Sequence, residues 1–311
     1  MKYYTKGGQS QKSYCHIRQK SIAEYVSFIQ TYRNKYTVKQ MCKVLKFPRS
    51  TYYAVINHKP SQREQEYNKF STQVLSVYTE FKKRYGAVKI QRELSDRGIL
   101  CSVKRVQRHM HKLGIKSIVI KKYQYSKNQG TVPDDKENIL NRDFEADTVF
   151  KKLVTDITYI HVVNEGWTYL ASVMDLYDRK IIGWSYGKNI TAELATQAVK
   201  NACLNIPDTE GIILHSDLGS QYTSDEFENY LQSQGMLHSF SRKGNPYDNA
   251  CIESFHSVLK KEEVYTTTYQ TFEEAKTALF EYIESFYNRK RRHSALGYKT
   301  PQQVEDGALA V

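Results

Sequence analysis

One stretch decides the fold of this chain: Leu153-Val154-Thr155-Asp156-Ile157-Thr158-Tyr159-Ile160. Its β-branched and aromatic residues predict a strand. A carboxylate in the middle of a buried strand is costly unless a cation neutralises it. An isolated Asp is ordinarily a turn cap or a surface residue, and that explanation fits Asp156 poorly. This strand is therefore a candidate for metal chemistry as well as for packing.

Two further acids stand in equally marked positions. Asp217 ends an apolar run and is followed at once by the turn-like Gly219-Ser220, whereas Glu253 opens a stretch with a helical pattern. A turn cap for Asp217 and a first-turn helix acid for Glu253 are the ordinary alternatives. Mg²⁺ prefers oxygen ligands and keeps coordination positions for water and phosphate. Two such ions can activate the attacking oxygen and stabilise the leaving oxygen when a phosphodiester is cut. Together the three acids predict two Mg²⁺ ions, or Mn²⁺ in their place.

The pattern from residue 153 onward predicts an α/β domain. Three strands separated by hairpin-like turns come first, followed by a helix, a strand, a helix, a short strand and the helix that carries Glu253. This βββαβαβα order predicts a mixed sheet flanked by helices, as in ribonuclease-H-like folds. The predicted bounds of the elements before the last helix are 153–163, 166–175, 179–187, 191–204, 211–216, 224–234 and 237–240.

An all-α region with two helix-turn-helix-like units is predicted before this core. In the first unit Thr37 and Ser50 are candidate N-caps, and Pro48 separates the two helices. Arg49 then stands at the start of the second helix, where it is a candidate DNA contact. An ordinary helical hairpin is the alternative, because such turns are common.

The second unit is predicted as three helices, 71–84, 87–96 and 103–113, with Ser102 as the N-cap of the last one. An apolar stripe on that last helix would face the core. A solvated surface is the ordinary explanation for a basic helix face, but lysines and tyrosines that follow extend the same charge. We therefore predict DNA contacts for this face, on which five residues are expected to point outward: Lys104, Arg105, Arg108, His109 and Lys112.

Charge is divided unevenly along the chain. Residues 1–150 contain 30 Lys and Arg against 12 Asp and Glu, whereas the remainder contains 16 against 21. A basic front half joined to a mildly acidic back half is typical of proteins whose front half binds a polyanion. No apolar stretch approaches the roughly 20 residues that span a bilayer, and the first residues lack the apolar core of a signal peptide.

Five cysteines are scattered along the sequence without a C-x-x-C pair. A structural zinc site needs ligands at short spacing, so this scatter argues against one. The odd number and the scatter suit a reducing compartment. We therefore expect a cytoplasmic protein, and the family resemblance described below implies association with the bacterial nucleoid.

Helix geometry places further residues beside Glu253. Positions i−4 and i+7 share its helix face, so Asn249 and Lys260 are expected on the same side. A plain surface lysine is the alternative for Lys260. The loop before this helix is predicted to be flexible and basic, and Arg242 and Lys243 in it are suited to binding a DNA strand. We predict DNA contacts for these four residues.

Long ordered motifs give the chain a family resemblance. It resembles the transposases of bacterial insertion sequences that have a retroviral-integrase-like catalytic core, and the likeness extends over about residues 37–303. It is most similar to the second-reading-frame product (OrfB). The motifs that carry the resemblance are Thr155–Tyr159, His215–Tyr222, Ser241–Phe255, Tyr287–Arg289, Arg292–Tyr298 and Thr300-Pro301.

This resemblance implies roles for individual residues. Asp156, Asp217 and Glu253 would be the catalytic DDE triad and the metal ligands. Lys260 would match a basic residue that the family keeps seven positions after its Glu. Two departures are visible: Leu153 replaces a tryptophan, which affects packing, and Leu218 replaces a polar or basic residue, which weakens one DNA contact. Neither removes a metal ligand.

The activity implied by the resemblance is that of a Mg²⁺-dependent DNA transposase. Water would cut a strand at the element's end, and the freed 3′-OH would attack target DNA. The implied partners are the terminal inverted repeats, the target DNA, further copies of the chain and an upstream-frame (OrfA-type) protein. Two alternatives remain open: a metal-dependent nuclease of the same fold, and a DNA-binding regulatory product of a transposable element.

The predicted domain organisation follows from these patterns. A helix-turn-helix-like region is expected over 1–60, a second helix-turn-helix-like domain over 61–125, a linker over 126–150, an integrase-type core over 151–265 and a C-terminal helical extension over 266–311.

Overall fold

The computed structural model of this chain describes residues 21–119, 137–242 and 246–310. The chain divides into two compact units, Met1–Thr72 and Gln73–Val311. The predicted lysines and tyrosines between 121 and 127, and part of the predicted linker, lie outside the described residues. Across the described ranges, no helix is long and apolar enough to cross a membrane.

The described part of the first unit, from residue 21 on, has three short helices ahead of a long one: α1 (Ile22–Tyr32), α2 (Val38–Val44) and α3 (Arg49–Ile56). Thr37 caps α2 as predicted, since its side chain accepts from the backbone N–H of Gln40. The prediction of Ser50 as an N-cap is wrong: Pro48 occupies the cap position with an extended backbone, and α3 begins at Arg49. The helices pack around a small apolar cluster that includes Val26, Ile29, Met41, Leu45, Phe47 and Tyr52.

A long helix, α4 (Gln62–Glu80), contains the division between the two units. The predicted bounds 71–84 were wrong at both ends. The helix starts earlier because the Ser61 side chain accepts from the backbone N–H of Glu64, although the first turns lack an apolar stripe. It ends earlier because Lys82 and Lys83 adopt left-handed backbone conformations, with φ of 49° and 64°.

Two further helices follow α4: α5 (Ala87–Asp96) and α6 (Val103–Lys112). Ser102 caps α6 as predicted, and its hydroxyl accepts from the backbone N–H of Arg105 at 3.2 Å. One outward-facing prediction was wrong, because His109 is buried. Burial, followed by the neighbouring cations, lowers the pKa of His109. His109 therefore packs in the core, on a helix whose other face is basic.

A five-stranded mixed sheet forms the centre of the second unit, in the order β3-β2-β1-β4-β5. The first three strands are antiparallel neighbours, and β4 and β5 run parallel to β1. With α7 (Ala192–Cys203), α8 (Asp225–Ser233) and α9 (Ala250–Glu262), the order is the predicted βββαβαβα, which confirms the ribonuclease-H-like fold. The strands are β1 (Lys152–Val162), β2 (Gly166–Asp175), β3 (Ile181–Gly187), β4 (Ile213–Ser216) and β5 (Leu237–Phe240).

One face of the sheet packs closely against α7. A Cβ at Gly183 on β3 would lie 2.4 Å from the backbone nitrogen of Ala202 and 2.5 Å from the backbone oxygen of Ala198. Only a glycine permits this approach of strand to helix. The core on this face also includes Leu153, Val173, Leu214 and Phe227. It fixes β1 and β4 side by side, which positions their acids.

The C-terminal segment continues through α10 (Phe272–Phe280), π-helical turns (Glu281–Tyr287) and α11 (Pro301–Leu309). Asn288 extends the edge of β3, because its side chain accepts from the backbone N–H of Ile181 at 3.0 Å and donates to the carbonyl of the same residue at 2.9 Å. Arg292 forms ion pairs with Glu93 and Asp96 of α5. The motif noted at Tyr287–Tyr298 thus joins α5 to the sheet within the second unit.

Candidate active site

The parallel pairing of β1 and β4 brings two of the predicted acids to the same level. Val154 is opposite His215 in the register. Asp156 lies two residues after Val154 on β1, and Asp217 lies two residues after His215, just beyond the end of β4. An electrostatic interaction between them confirms that they are neighbours.

Asp156 is held by contacts on both of its carboxylate oxygens. Its Oδ1 accepts from the backbone N–H of Ile157 at 2.9 Å, and its Oδ2 lies 3.3 Å from Nδ1 of His256 on α9. The other ring nitrogen of His256 lies 3.5 Å from Oγ of Ser172, which is the cross-strand partner of Asp156 on β2. His256 was not among the predicted site residues, although its position three residues after Glu253 places both on one helix face.

Asp217 directly follows the last residue of β4, where the chain turns. Its Oδ1 accepts from the backbone N–H of Gly219 at 2.9 Å. Burial, followed by the negative charge of Asp156, raises the pKa of Asp217 to about 6. The hydrogen bond from the backbone N–H of Gly219 lowers this pKa, but burial and the charge of Asp156 together raise it by more. Two carboxylates so placed repel each other, and a cation between them would relieve both.

Glu253 projects from the first turn of α9, a helix that packs against β1. Burial raises the pKa of Glu253, and the charges of Asp156 and then Asp217 raise it further. The third acid is therefore within electrostatic reach of the other two, from a third structural element. This mutual coupling of three carboxylates is the central feature of the site.

Lys260 lies two turns after Glu253 on α9. Its Nζ is 4.5 Å from the centroid of the Tyr159 ring, in a cation–π contact. Burial lowers the pKa of Lys260, and the negative charge of Asp156 acts in the opposite direction. The lysine is therefore a partly buried cation beside the acidic cluster, which distinguishes it from a plain surface lysine.

The donor set suits a hard cation. All three side chains supply carboxylate oxygens, which Mg²⁺ and Mn²⁺ prefer, and their mutual repulsion marks an excess of negative charge. Within the described residues, no three His, Cys, Asp or Glu side chains stand close enough to form a ready metal cage. The chemistry of the donors fits a metal ion. In this structure the carboxylate of Asp156 contacts His256, and that of Asp217 accepts from the backbone N–H of Gly219.

The segment before α9 is fixed by a buried acid, Asp248. Burial opposes its ionisation, but hydrogen bonds from Arg242 and Arg142 outweigh this and hold the pKa of Asp248 well below its usual value. Arg142 donates to Oδ1 at 2.6 Å, and the backbone N–H of Arg242 donates to Oδ2 at 2.9 Å. Arg242 thus anchors this segment while its side chain stays half exposed.

The structure separates the predicted DNA contacts by exposure. Asn249 is buried, and its side chain donates to the carbonyl of Thr155 at 3.4 Å, so a DNA contact by Asn249 stays a prediction. Lys243 lies outside the described residues. Arg49 is exposed on α3, in the first unit. On α6, Lys104, Arg108 and Lys112 are exposed and Arg105 is half-buried.

A mixed sheet of this topology with three coupled acids defines an integrase-type catalytic core. Family models described as "Integrase core domain" match residues 147–246 and 234–301. A model described as "HTH-like domain" matches residues 66–123, which include α5 and α6. The class of protein is thus a helix-turn-helix DNA-binding region followed by an integrase core.

Curated relatives narrow this class to a family. The chain is 35% identical to transposase InsF for insertion sequence IS3A of Escherichia coli, over 91% of this chain and 99% of the relative. It is 38% identical to the transposase for insertion sequence element IS904 of Lactococcus lactis, over 80% of this chain and 98% of the relative. The chain therefore belongs to the family of insertion-sequence transposases with an integrase core domain.

Among solved structures, the chain resembles the HTLV-2 integrase catalytic core domain in complex with magnesium. The sequence identity is 16%, the TM-score is 0.40, and the match covers 52% of this chain and 99% of that chain. A likeness at this level is too distant to inform the chemistry of the site.

Proposed function

We propose that this chain cuts the ends of its insertion element and joins the freed 3′-OH to target DNA, with Asp156, Asp217 and Glu253 as the catalytic triad. The observation that carries this proposal is the electrostatic coupling of three carboxylates from β1, the end of β4 and α9. Membership of a transposase family supports this reaction, and the coupled acids support this place for it.

The same three residues would hold two divalent cations, Mg²⁺ or Mn²⁺. When bound, such ions activate the attacking oxygen and stabilise the leaving oxygen of an in-line displacement at phosphorus. The protein's part is to hold the three carboxylates on rigid elements. His256 would orient Asp156, and Gly219 would orient Asp217 through its backbone N–H.

Both chemical steps exchange one P–O bond for another. In the first, a water oxygen bonds to phosphorus, the bond to the 3′ oxygen breaks, and that oxygen leaves as a hydroxyl. In the second, this 3′ oxygen bonds to a phosphorus of target DNA and a target 3′ oxygen leaves. Lys260 would neutralise a DNA phosphate beside the acids, because it is a lysine on α9 that interacts electrostatically with Asp156.

DNA would be positioned by regions outside the acidic cluster. The exposed basic face of α6 and Arg49 on α3 are proposed contacts for the terminal inverted repeats, and Arg242, Lys243 and Asn249 for the strand near the cut. We further propose that copies of the chain assemble on DNA, that an OrfA-type protein takes part, and that the protein works at the nucleoid in the cytoplasm.

A strand-joining assay on a labelled duplex that carries the element's terminal repeat tests the proposal. With Mg²⁺ we expect cut and joined products, and with EDTA neither. Asp156→Asn, Asp217→Asn and Glu253→Gln should each abolish both products while DNA affinity stays largely intact. Asp225→Asn and Glu226→Gln, which change exposed acids on α8, are matched controls and should behave as wild type.

Each alternative activity has its own outcome in this assay. Cutting without joining would identify a nuclease, and binding without cutting would identify a regulatory product. Near-normal joining by any one of the three acid variants would remove that residue from the triad.

A further inference from the structure

A groove lined by aromatic side chains lies beside Lys260. Its volume is about 240 Å³, and its lining includes Tyr159, His161, Trp167, Lys260, Val264 and Tyr265. Three of its aromatic side chains are strongly exposed, with 57% for Tyr159, 57% for Trp167 and 56% for Tyr265. Large aromatic surfaces exposed together are a marker of a binding site.

Three of the rings in the groove contact one another. Trp167 makes edge-to-face contacts with Tyr159, at 5.5 Å between centroids, and with His161, at 5.2 Å. Such contacts are a preferred arrangement for aromatic pairs. They rest on the cross-strand pairing of His161 with Trp167 at the end of the β1–β2 hairpin. The groove is therefore a pre-formed surface on rigid strands.

The groove combines the two features that a nucleotide requires. Aromatic rings can stack on a nucleobase of any sequence, and a lysine can neutralise its phosphate. A volume near 240 Å³ is below the roughly 300–1,000 Å³ of sites for drug-sized ligands. It therefore suits one base rather than a larger ligand.

Its position relates the groove to the reacting phosphate. Tyr159 is three residues after Asp156 on β1, so its backbone lies about 10 Å further along the strand and its side chain leaves from the other face. Lys260 links the two, because its Nζ contacts the Tyr159 ring and it interacts electrostatically with Asp156. Lys260 is seven residues after Glu253 on α9, which is also about 10 Å along a helix. One strand of B-form DNA advances about 3.4 Å per nucleotide, so a backbone spacing of about 10 Å corresponds to about three nucleotides of a strand that passes both the acids and the groove.

Resting on the function proposed above, we propose that this groove holds one unpaired base of the reacting DNA. The base lies within about three nucleotides of the scissile phosphate and stacks in the groove against Trp167 and Tyr159, while Lys260 contacts its phosphate. Opening one pair near the end costs a few kcal/mol, and stacking on aromatic residues offsets that cost. The groove thereby fixes the register of the strand at the acids.

This inference is tested by measuring whether Trp167→Ala and the removal of one base affect DNA affinity independently or jointly. Terminal-repeat duplexes are made with a single abasic site at each of the three positions on either side of the scissile phosphate, in either strand. At one position the abasic site should weaken wild-type binding about 10-fold, within the range for one base stack. Trp167→Ala should weaken binding of the intact duplex to a similar extent, and the abasic site should then have no further effect.

Matched variants separate stacking from folding. Trp167→Phe keeps an aromatic ring and should retain most of the affinity, with the abasic effect still present. Phe280→Ala removes an exposed aromatic residue on α10, outside the groove, and should leave the affinity and the abasic effect unchanged. Thermal melting of each variant identifies any loss of folding.

Affinities are measured in the Glu253→Gln background, and joining is measured in parallel in the wild-type background. If the wild-type chain neither cuts nor joins but the affinities are coupled, the proposed function fails and the groove still binds a base. If the effects of Trp167→Ala and of the abasic site add at every position, the groove inference is overturned. A change of oligomeric state with Trp167→Ala, without coupling to any base, would identify a protein interface and would also overturn it.

Discussion

Nδ1 of His256 lies 3.3 Å from Oδ2 of Asp156. The two residues come from α9 and β1, and Ser172 on β2 lies at hydrogen-bonding distance from the other ring nitrogen of His256. A histidine between a carboxylate and a hydroxyl fixes the rotamer of the carboxylate. Asp156 is thus held by a side chain of α9 that is itself held by β2.

Replacement of His256 should therefore weaken catalysis without weakening DNA binding. We expect His256→Ala to lower the single-turnover cutting rate roughly 10- to 100-fold, as for residues that orient metal ligands. The Mg²⁺ concentration for half-maximal rate should rise. His256→Asn, whose amide nitrogen can take the place of Nδ1, should recover part of both. An unchanged rate and an unchanged Mg²⁺ dependence in His256→Ala would show that this contact does not position Asp156.

The basic face of α6 should determine how DNA affinity depends on salt. The triple variant Lys104→Ala, Arg108→Ala, Lys112→Ala should bind the terminal repeat more weakly. The slope of log affinity against log salt should fall by about 0.9 for each lost phosphate contact. Lys276→Ala, which removes an exposed lysine on α10, is the control and should leave the slope unchanged. A triple variant with the wild-type slope would exclude α6 from the DNA interface.

The stability of the second unit should depend on pH through Asp178. Burial, followed by the charge of Asp175, raises the pKa of Asp178 from 3.8 to about 8. The folded state therefore keeps a proton that the unfolded state loses between pH 4 and pH 8. Stability falls as pH rises through this window, and each pKa unit is worth about 1.4 kcal/mol.

Asp178→Asn should remove this dependence. The amide oxygen can still accept from the backbone N–H of Lys180, as Oδ1 does at 2.8 Å. Urea unfolding at pH 5 and at pH 8 measures the effect: the variant should gain stability relative to wild type by a few kcal/mol at the higher pH. An equal difference between the two proteins at both pH values would contradict the shifted pKa.

A buried ion pair should dominate the stability of the C-terminal segment. Arg291 donates to both oxygens of Glu262 at 2.9 Å, and the Tyr282 hydroxyl donates to Oε2 of Glu262 at 2.9 Å. Glu262→Gln leaves the arginine charge buried without its partner, so we expect a loss of about 3 kcal/mol in the free energy of unfolding.

The exposed pair Lys82–Glu281, at 3.8 Å, supplies the comparison. Glu281→Gln should change the free energy of unfolding by less than about 1 kcal/mol, because solvent screens exposed pairs. Urea unfolding of both variants measures the two losses in the free energy of unfolding. Equal losses in the two would show that burial adds nothing to the Glu262–Arg291 pair.

Sequence pattern was sufficient for the elements of the core. β-branched runs bounded by turn residues predicted β1 and β2 within one residue of their observed ends, and the apolar period predicted α7 and α8. It was insufficient for α4, whose first turns have no apolar stripe and are specified by the Ser61 cap. Sequence pattern also predicted that His109 faces outward. The residue type alone does not distinguish a buried histidine from an exposed one.

By itself, the sequence determined which residues carry charge and where strands and helices lie, because propensity and periodicity act over a few neighbouring residues. It therefore indicated Asp156, Asp217 and Glu253 as separate acids with unusual neighbours. Only the tertiary structure decided that β4 pairs with β1 in the register that aligns two of them, that His256 contacts Asp156, and that Lys260 meets Tyr159. These relations join residues 61 to 101 positions apart, and packing between elements, rather than local preference, fixes such distances.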